Sequence, residues 1–193
     1  GDLVYLKENR YPIVTEKINE YLESHRKDLD GIYISGGEPL MHEGVVSFLK
    51  YAKTLNYKIK LHTNGMYYDR LHKIIHEKLV DSISLDIKNA PSAYAKTCGV
   101  EDIDINEIEK SLRLLKTSHI PFDLCVTLVN EFHNEKNIEE LGQWIQGVHM
   151  VVLQPFQNNE TTIDHSLHSP DEKQILKYKT ILEKYVDTVK IRG

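Results

Sequence analysis

Apolar and polar positions along the chain follow two alternating rhythms. Over residues 12–29, Ile13, Ile18, Tyr21 and Leu22 fall at helical spacing, and Pro12 suits a helix's first turn. The run Ile32-Tyr33-Ile34-Ser35 then predicts a short buried strand that ends in Gly36-Gly37. The alternation repeats: helix over 43–55 and strand over 58–61, then helix over 67–78 and strand over 82–87. A longer loop is expected from Asn89 to about Asp104, followed by helix 105–117, strand 122–129, helix 134–145 and strand 150–153. A polar loop over 157–169 leads to Pro170, which opens a last helix through Tyr185, and 186–191 is a final apolar stretch.

Strands and helices that alternate at intervals of roughly thirty residues imply βα units and a parallel sheet, an α/β fold. The strands read as apolar runs, as expected of parallel strands buried on both faces. In such folds ligands sit at the carboxyl ends of the strands. The residues there are Gly36-Gly37-Glu38-Pro39, His62-Thr63-Asn64-Gly65, Asp86 and Lys88, Thr127 and Asn130, and Gln154-Pro155-Phe156-Gln157. Polar and glycine-rich residues recur at the same end of successive strands, whereas turns alone would place them at both ends.

Composition narrows the function classes. With 193 residues, 40% hydrophobic and 27% charged, the chain suits one folded domain spanning 1–193, with no linker or low-complexity segment. A net charge of -5 lacks the basic footprint of a nucleic-acid partner. No apolar run is long enough to span a bilayer, and no signal peptide is evident. Two cysteines, Cys98 and Cys125, make no disulfide framework, so a reducing cytoplasm is expected.

Ser35-Gly36-Gly37-Glu38-Pro39 lies between a strand and a helix. Its glycines let a backbone approach a ligand, and its carbonyls and Glu38 are acceptors suited to an ammonium group. The plainer alternative is a strand-to-helix turn with Glu38 favouring the helix dipole. His72 and His76, one helical turn apart, have no adjacent acid in HExxH order, and His165 and His168 sit in a polar loop. All four are read as surface histidines, and both cysteines as small buried or half-buried thiols.

The motifs "GIYISGGEPLM", "KLHTNG", "VDSISLDIKNA", "SHIPFDLCVTLV", "VVLQPFQ" and the ending "VKIRG" together resemble the radical S-adenosylmethionine (SAM) superfamily. Within it they resemble the activating proteins of anaerobic ribonucleoside-triphosphate reductase and, as a sister group, of pyruvate formate-lyase. The resemblance implies a partial (βα)6 barrel, SAM and a 4Fe–4S cluster as cofactors, and a reductant such as flavodoxin or ferredoxin. It also implies a glycyl-radical enzyme as protein substrate, whose glycine loses a hydrogen to a 5′-deoxyadenosyl radical. A binding relative without the cluster, and a phosphate-binding βα-barrel enzyme, are the rival readings. Glu38 beside the glycines opposes the second, because it would repel phosphate.

By the same resemblance Gly36, Gly37, Glu38 and Pro39 hold the SAM amino group. Lys88 lies near its carboxylate or ribose and is oriented by Asp86. Thr63, Asn64, Thr127 and Gln157 complete the cofactor site. Asn130 is a weaker candidate, and Phe156 is core or adenine-side packing. The family's CxxxCxxC loop is not among these residues, and Gly1-Asp2-Leu3-Val4 matches the segment that follows it. The expectation is therefore a chain that lacks the first strand and the cluster loop by truncation. The family also places a monovalent cation near SAM, liganded by an Asp-Thr pair and the Asp of Asp-x-Lys. Thr63 and Asp86 are kept, but His62 stands where the first Asp belongs, and a neutral imidazole offers no anionic oxygen.

Overall fold

A computed structural model of the chain describes residues 15–160, 162 and 164–192. The apolar patch at 3–6, Pro12 and the match at Gly1–Val4 lie outside them. Helix α1 (Thr15–Ser24) leads into β1 (Gly31–Ile34). There follow α2 (Val45–Thr54), β2 (Lys58–Thr63), α3 (Tyr68–His76), β3 (Ser82–Asp86), α4 (Tyr94–Cys98) and α5 (Ile105–Thr117). The chain continues through β4 (Phe122–Leu128), α6 (Glu135–Trp144), β5 (Met150–Pro155), α7 (Glu172–Leu182) and β6 (Thr188–Ile191). The six strands form one parallel sheet in the order of the sequence, with β1 and β6 at its edges. Burial raises the Tyr33 hydroxyl of β1 above its ordinary range, and the Arg192 guanidinium beyond β6 opposes that shift.

Asp104, Asn134 and Asp171 cap α5, α6 and α7 by accepting the backbone N–H of Asn106, Asn137 and Gln174 at 3.1, 3.0 and 2.7 Å. Each cap satisfies a donor that has no partner within its helix. Pro170 therefore precedes the last helix and does not open it. The expected loop over 89–104 also differs. It holds a 3-10 turn, Pro91–Ala93, and then α4, which closes at Gly99 with φ +69°. A helix of five residues is too short to show a 3.6-residue period, and it is anchored by the buried Tyr94. The final apolar stretch becomes β6.

The sheet is not apolar on both faces. Ile59, Leu61, Ile83, Leu85, Leu124, Val126, Val151 and Leu153 point to the helices and are fully buried. The intervening residues, which must point the other way, line a polar inner face. There Lys60 Nζ lies 2.7 Å from Asp123 Oδ1, and Ser84 Oγ donates to the same oxygen at 2.8 Å. Tyr33, His62, Asp86, Cys125, Thr127 and Gln154 belong to this face, because they alternate with the core positions and are joined in register. Helices cover one side of the sheet only, so only that side sheds its polar groups. No described helix is long and apolar enough to cross a membrane.

Candidate functional site

The first strand-end motif is built by backbone conformation. Gly36 has φ +137°, and a Cβ placed there would meet open space, so the turn rather than crowding calls for glycine. Ser35, Gly36 and Gly37 are exposed, while Glu38 turns inward and is buried, with Pro39 starting a 3-10 turn. Glu38 Oε1 accepts from Leu40 N at 3.0 Å and from the Thr63 hydroxyl at 2.8 Å. Its Oε2 accepts from Asn64 N at 2.7 Å. A carboxylate has about four acceptor positions, so three are taken by the protein. Glu38 thus braces the end of β1 against the end of β2, leaving roughly one acceptor position and the open Ser35–Gly37 backbone for a ligand.

The end of β2 is equally wired. Asn64 Oδ1 accepts from Met66 N at 2.9 Å, and the Gly65 carbonyl accepts from the buried Ser111 hydroxyl at 2.7 Å. Gly65 has φ +78°, and a Cβ there would stand 2.7 Å from Leu85 Cδ1. Glycine is required here on both counts.

Asp86 and Lys88 form the charged centre. Lys88 Nζ lies 2.5 Å from Asp86 Oδ2. His62 Nε2 approaches the same oxygen at 3.9 Å, and His62 Nδ1 is 2.6 Å from the Tyr33 hydroxyl. Burial pushes the Asp86 carboxyl toward its neutral form, but His62 and Lys88 outweigh it and hold the group below the usual carboxylate range. Burial likewise opposes the Lys88 charge, and Asp86 overcomes it, so the ammonium is held above its ordinary value. Asp86 Oδ1 is buried with no hydrogen-bond partner. An orphaned anionic oxygen is costly unless something supplies a donor.

Two residues that the sequence did not single out hold this centre. His133 is buried, its Nδ1 lies 3.1 Å from Val129 N and 3.0 Å from Val129 O, and its Nε2 is 3.0 Å from the Lys88 carbonyl. In the neutral ring whose Nδ1 accepts the Val129 N–H, Nε2 carries the proton and donates to the Lys88 carbonyl. Burial lowers the His133 pKa, which favours this neutral form. Asn89, fully buried, donates to Phe132 O at 2.9 Å and Thr97 Oγ1 at 3.0 Å. No spacing in the sequence marks either residue, since His133 reaches Lys88 across 45 positions and Asn89 reaches Phe132 across 43.

The remaining candidates are less concentrated. Thr127 and Gln154 are register partners on the inner face, and Cys125 Sγ lies 3.8 Å from Gln154 Oε1. Asn130 is exposed, its backbone N–H bonded to His168 O at 2.9 Å, and Gln157 is exposed beyond β5. Phe156 is half-buried, with its N–H on Leu128 O at 3.0 Å. His72 and His76 stack on α3, and no group of three His, Cys, Asp or Glu among the described residues could hold a metal. Burial pushes the Cys125 thiol up to about 11 and raises that of Cys98, which disfavours the thiolate that binds metal. The two cysteines therefore do not fit the role of cluster ligands.

Residues 5–145 match the radical SAM superfamily. The chain belongs to that superfamily. Among relatives of this radical SAM chain are two Methanocaldococcus jannaschii proteins, both named as candidate glycyl-radical enzyme activating enzymes. One is 28% identical over 84% of this chain and 70% of its own length. The other is 27% identical over 91% of this chain and 69% of its own length. A domain of a pyruvate-formate lyase-activating enzyme from Bacteroides vulgatus superposes with a TM-score of 0.69 at 18% identity, over 84% of this chain and 99% of that one. Streptococcus suis SuiB bound to S-adenosylmethionine superposes with a TM-score of 0.73 at 12% identity, over 95% of this chain and 44% of that one. At such identities the two structures speak for the fold, a radical SAM partial barrel.

Proposed function

We propose that this chain is the SAM-binding domain, a single folded unit, of a cytoplasmic glycyl-radical activase. The observation that carries the reading is the brace of Glu38 on Thr63 and Asn64 beside the Asp86–Lys88 pair. Together they give one open patch of acceptors and one ammonium, complementary to the ammonium and carboxylate of an amino-acid ligand. The Ser35–Gly37 carbonyls and the remaining Glu38 acceptor would receive the SAM amino group. Lys88 would receive its carboxylate, and the bare Asp86 Oδ1 would take a donor of the ligand. Thr127 and Gln157 are proposed on the ribose and adenine side. Bound SAM, given one electron through the 4Fe–4S cluster from the reductant and losing methionine, would supply the 5′-deoxyadenosyl radical that takes a hydrogen atom from a glycine of the partner enzyme. The superfamily match and the two candidate activating enzymes support an activase.

The preferred partner is anaerobic ribonucleotide reductase, with pyruvate formate-lyase as the alternative and flavodoxin or ferredoxin as reductant. The radical SAM family implies a 4Fe–4S cluster, whose three thiolates exceed the two cysteines of this chain, the half-buried Cys98 and the buried Cys125. A SAM-binding relative without radical chemistry is the second reading, favoured by that same ligand set. Calorimetric titration tests the shared claim. SAM should bind, and Lys88→Ala should weaken it by about ten- to a hundredfold, the range for a charge-assisted hydrogen bond. Equal SAM affinity in the variant would remove Lys88 from the site.

A further inference from the structure

Asp86 has more company than an ordinary ion pair. Lys88 Nζ sits 2.5 Å from Oδ2, and the His62 ring approaches that oxygen from the other side at 3.9 Å. His62 is itself held. Its Nδ1 is 2.6 Å from the hydroxyl of Tyr33 on the neighbouring strand, and the two rings meet edge-on. A ring hydrogen on Nε2 avoids setting a bare lone pair against the carboxylate 3.9 Å away. Nε2 is then a donor and cannot also ligate a metal. A cation at Asp86 would stand beside the Lys88 ammonium and an imidazole N–H, with one carboxylate oxygen left to bind it. Hard cations gather several oxygens, so the residues at this position do not fit the monovalent cation that the family resemblance implies.

We propose that His62, oriented by Tyr33, is a positioning residue that takes the place of a metal cation at Asp86. Resting on the SAM reading above, the consequence is functional. Lys88, whose side chain is partly exposed, can leave Asp86 for the carboxylate of the ligand. A buried carboxylate stripped of its partner is costly, and the His62 N–H remains to face it as a donor. The inner face supplies the other charges near this pair: Lys60 on β2, Asp123 on β4 and Arg192 beyond β6.

Two measurements decide the proposal. The first needs no ligand. Nitrogen-15 NMR of the histidine rings should find the His62 proton on Nε2, with Nδ1 as an acceptor whose signal moves in Tyr33→Phe. A proton on Nδ1 alone, leaving a bare Nε2 toward Asp86, would overturn the proposal. The second is SAM affinity with sodium and potassium replaced by tetramethylammonium at constant ionic strength. The wild-type chain should change by less than about twofold, because protein donors rather than an alkali cation face Asp86. His62→Gln, which keeps an N–H donor, should bind nearly as well. His62→Asp, which puts two carboxylates together, should bind about tenfold more weakly until an alkali cation is added. A wild-type chain that loses SAM without alkali cations would also overturn the proposal. If SAM binds in no salt, the functional reading fails and the ring tautomer alone judges His62.

Discussion

The two faces of the sheet are made by the same six strands and do opposite work. The helix-facing side, from Ile59 and Leu61 to Val151 and Leu153, is fully buried and apolar. Each such side chain contributes about 1.5–3 kcal/mol by leaving water. The inner side, one residue out of phase, holds Tyr33, His62, Asp86, Lys60, Ser84 and Asp123 in hydrogen bonds and ion pairs. A period of two lets one strand serve stability and chemistry at once. Changes on the first face should therefore move stability, and changes on the second should move ligand binding.

The sharpest break of that division is Leu85→Ala on β3. It removes a fully buried side chain one position from Asp86 and should cost about 2–5 kcal/mol in denaturant unfolding. Glu38→Ala comes next, because Glu38 belongs to both regions. It strands Asn64 N and the Thr63 hydroxyl, so stability should fall by about 1–3 kcal/mol, with SAM binding falling further. Glu38→Gln keeps one acceptor oxygen but sets its NH2 against a backbone donor, so it should recover only part of the stability.

A pH series separates the regions more finely. His133 is buried neutral, so its folded pKa lies below the ordinary 6.5. On acidification below 6.5 the unfolded chain takes up a proton that the folded chain refuses, and stability declines until the folded value is passed. His133→Gln should flatten that part of the profile. Asp86, held low, contributes stability at neutral pH that is lost only as pH falls below its unfolded value near 3.8. The smallest effect is expected at Lys177, which pairs with Glu135 on exposed surface. Lys177→Ala should change unfolding by less than about 0.5 kcal/mol and SAM binding not at all.

The strands and their carboxyl-end motifs were legible because they are local. Ser82-Ile83-Ser84-Leu85-Asp86 alternates residue by residue, and Gly36-Gly37-Glu38-Pro39 sits where a buried run stops. That alternation also held the one-sided burial, which reading the runs as continuously apolar overlooked. What could not be read depends on distance along the chain. Glu38 meets Thr63 across 25 positions, Tyr33 meets His62 across 29, and His133 reaches the Lys88 carbonyl across 45. Each of these pairings is fixed by strand register and loop path, and a single sequence carries no mark of either. Glu38 itself was identified, but its work as an internal brace only appears once β1 and β2 lie side by side.

Calorimetric titration of the purified chain with SAM, in parallel with Lys88→Ala and Leu153→Ala on the helix-facing side of the sheet, tests the division most directly. The account predicts SAM binding that Lys88→Ala weakens by about ten- to a hundredfold, while Leu153→Ala lowers unfolding stability and leaves the affinity of the folded chain intact. No SAM binding by the folded wild-type chain, or equal affinity with and without Lys88, would contradict it.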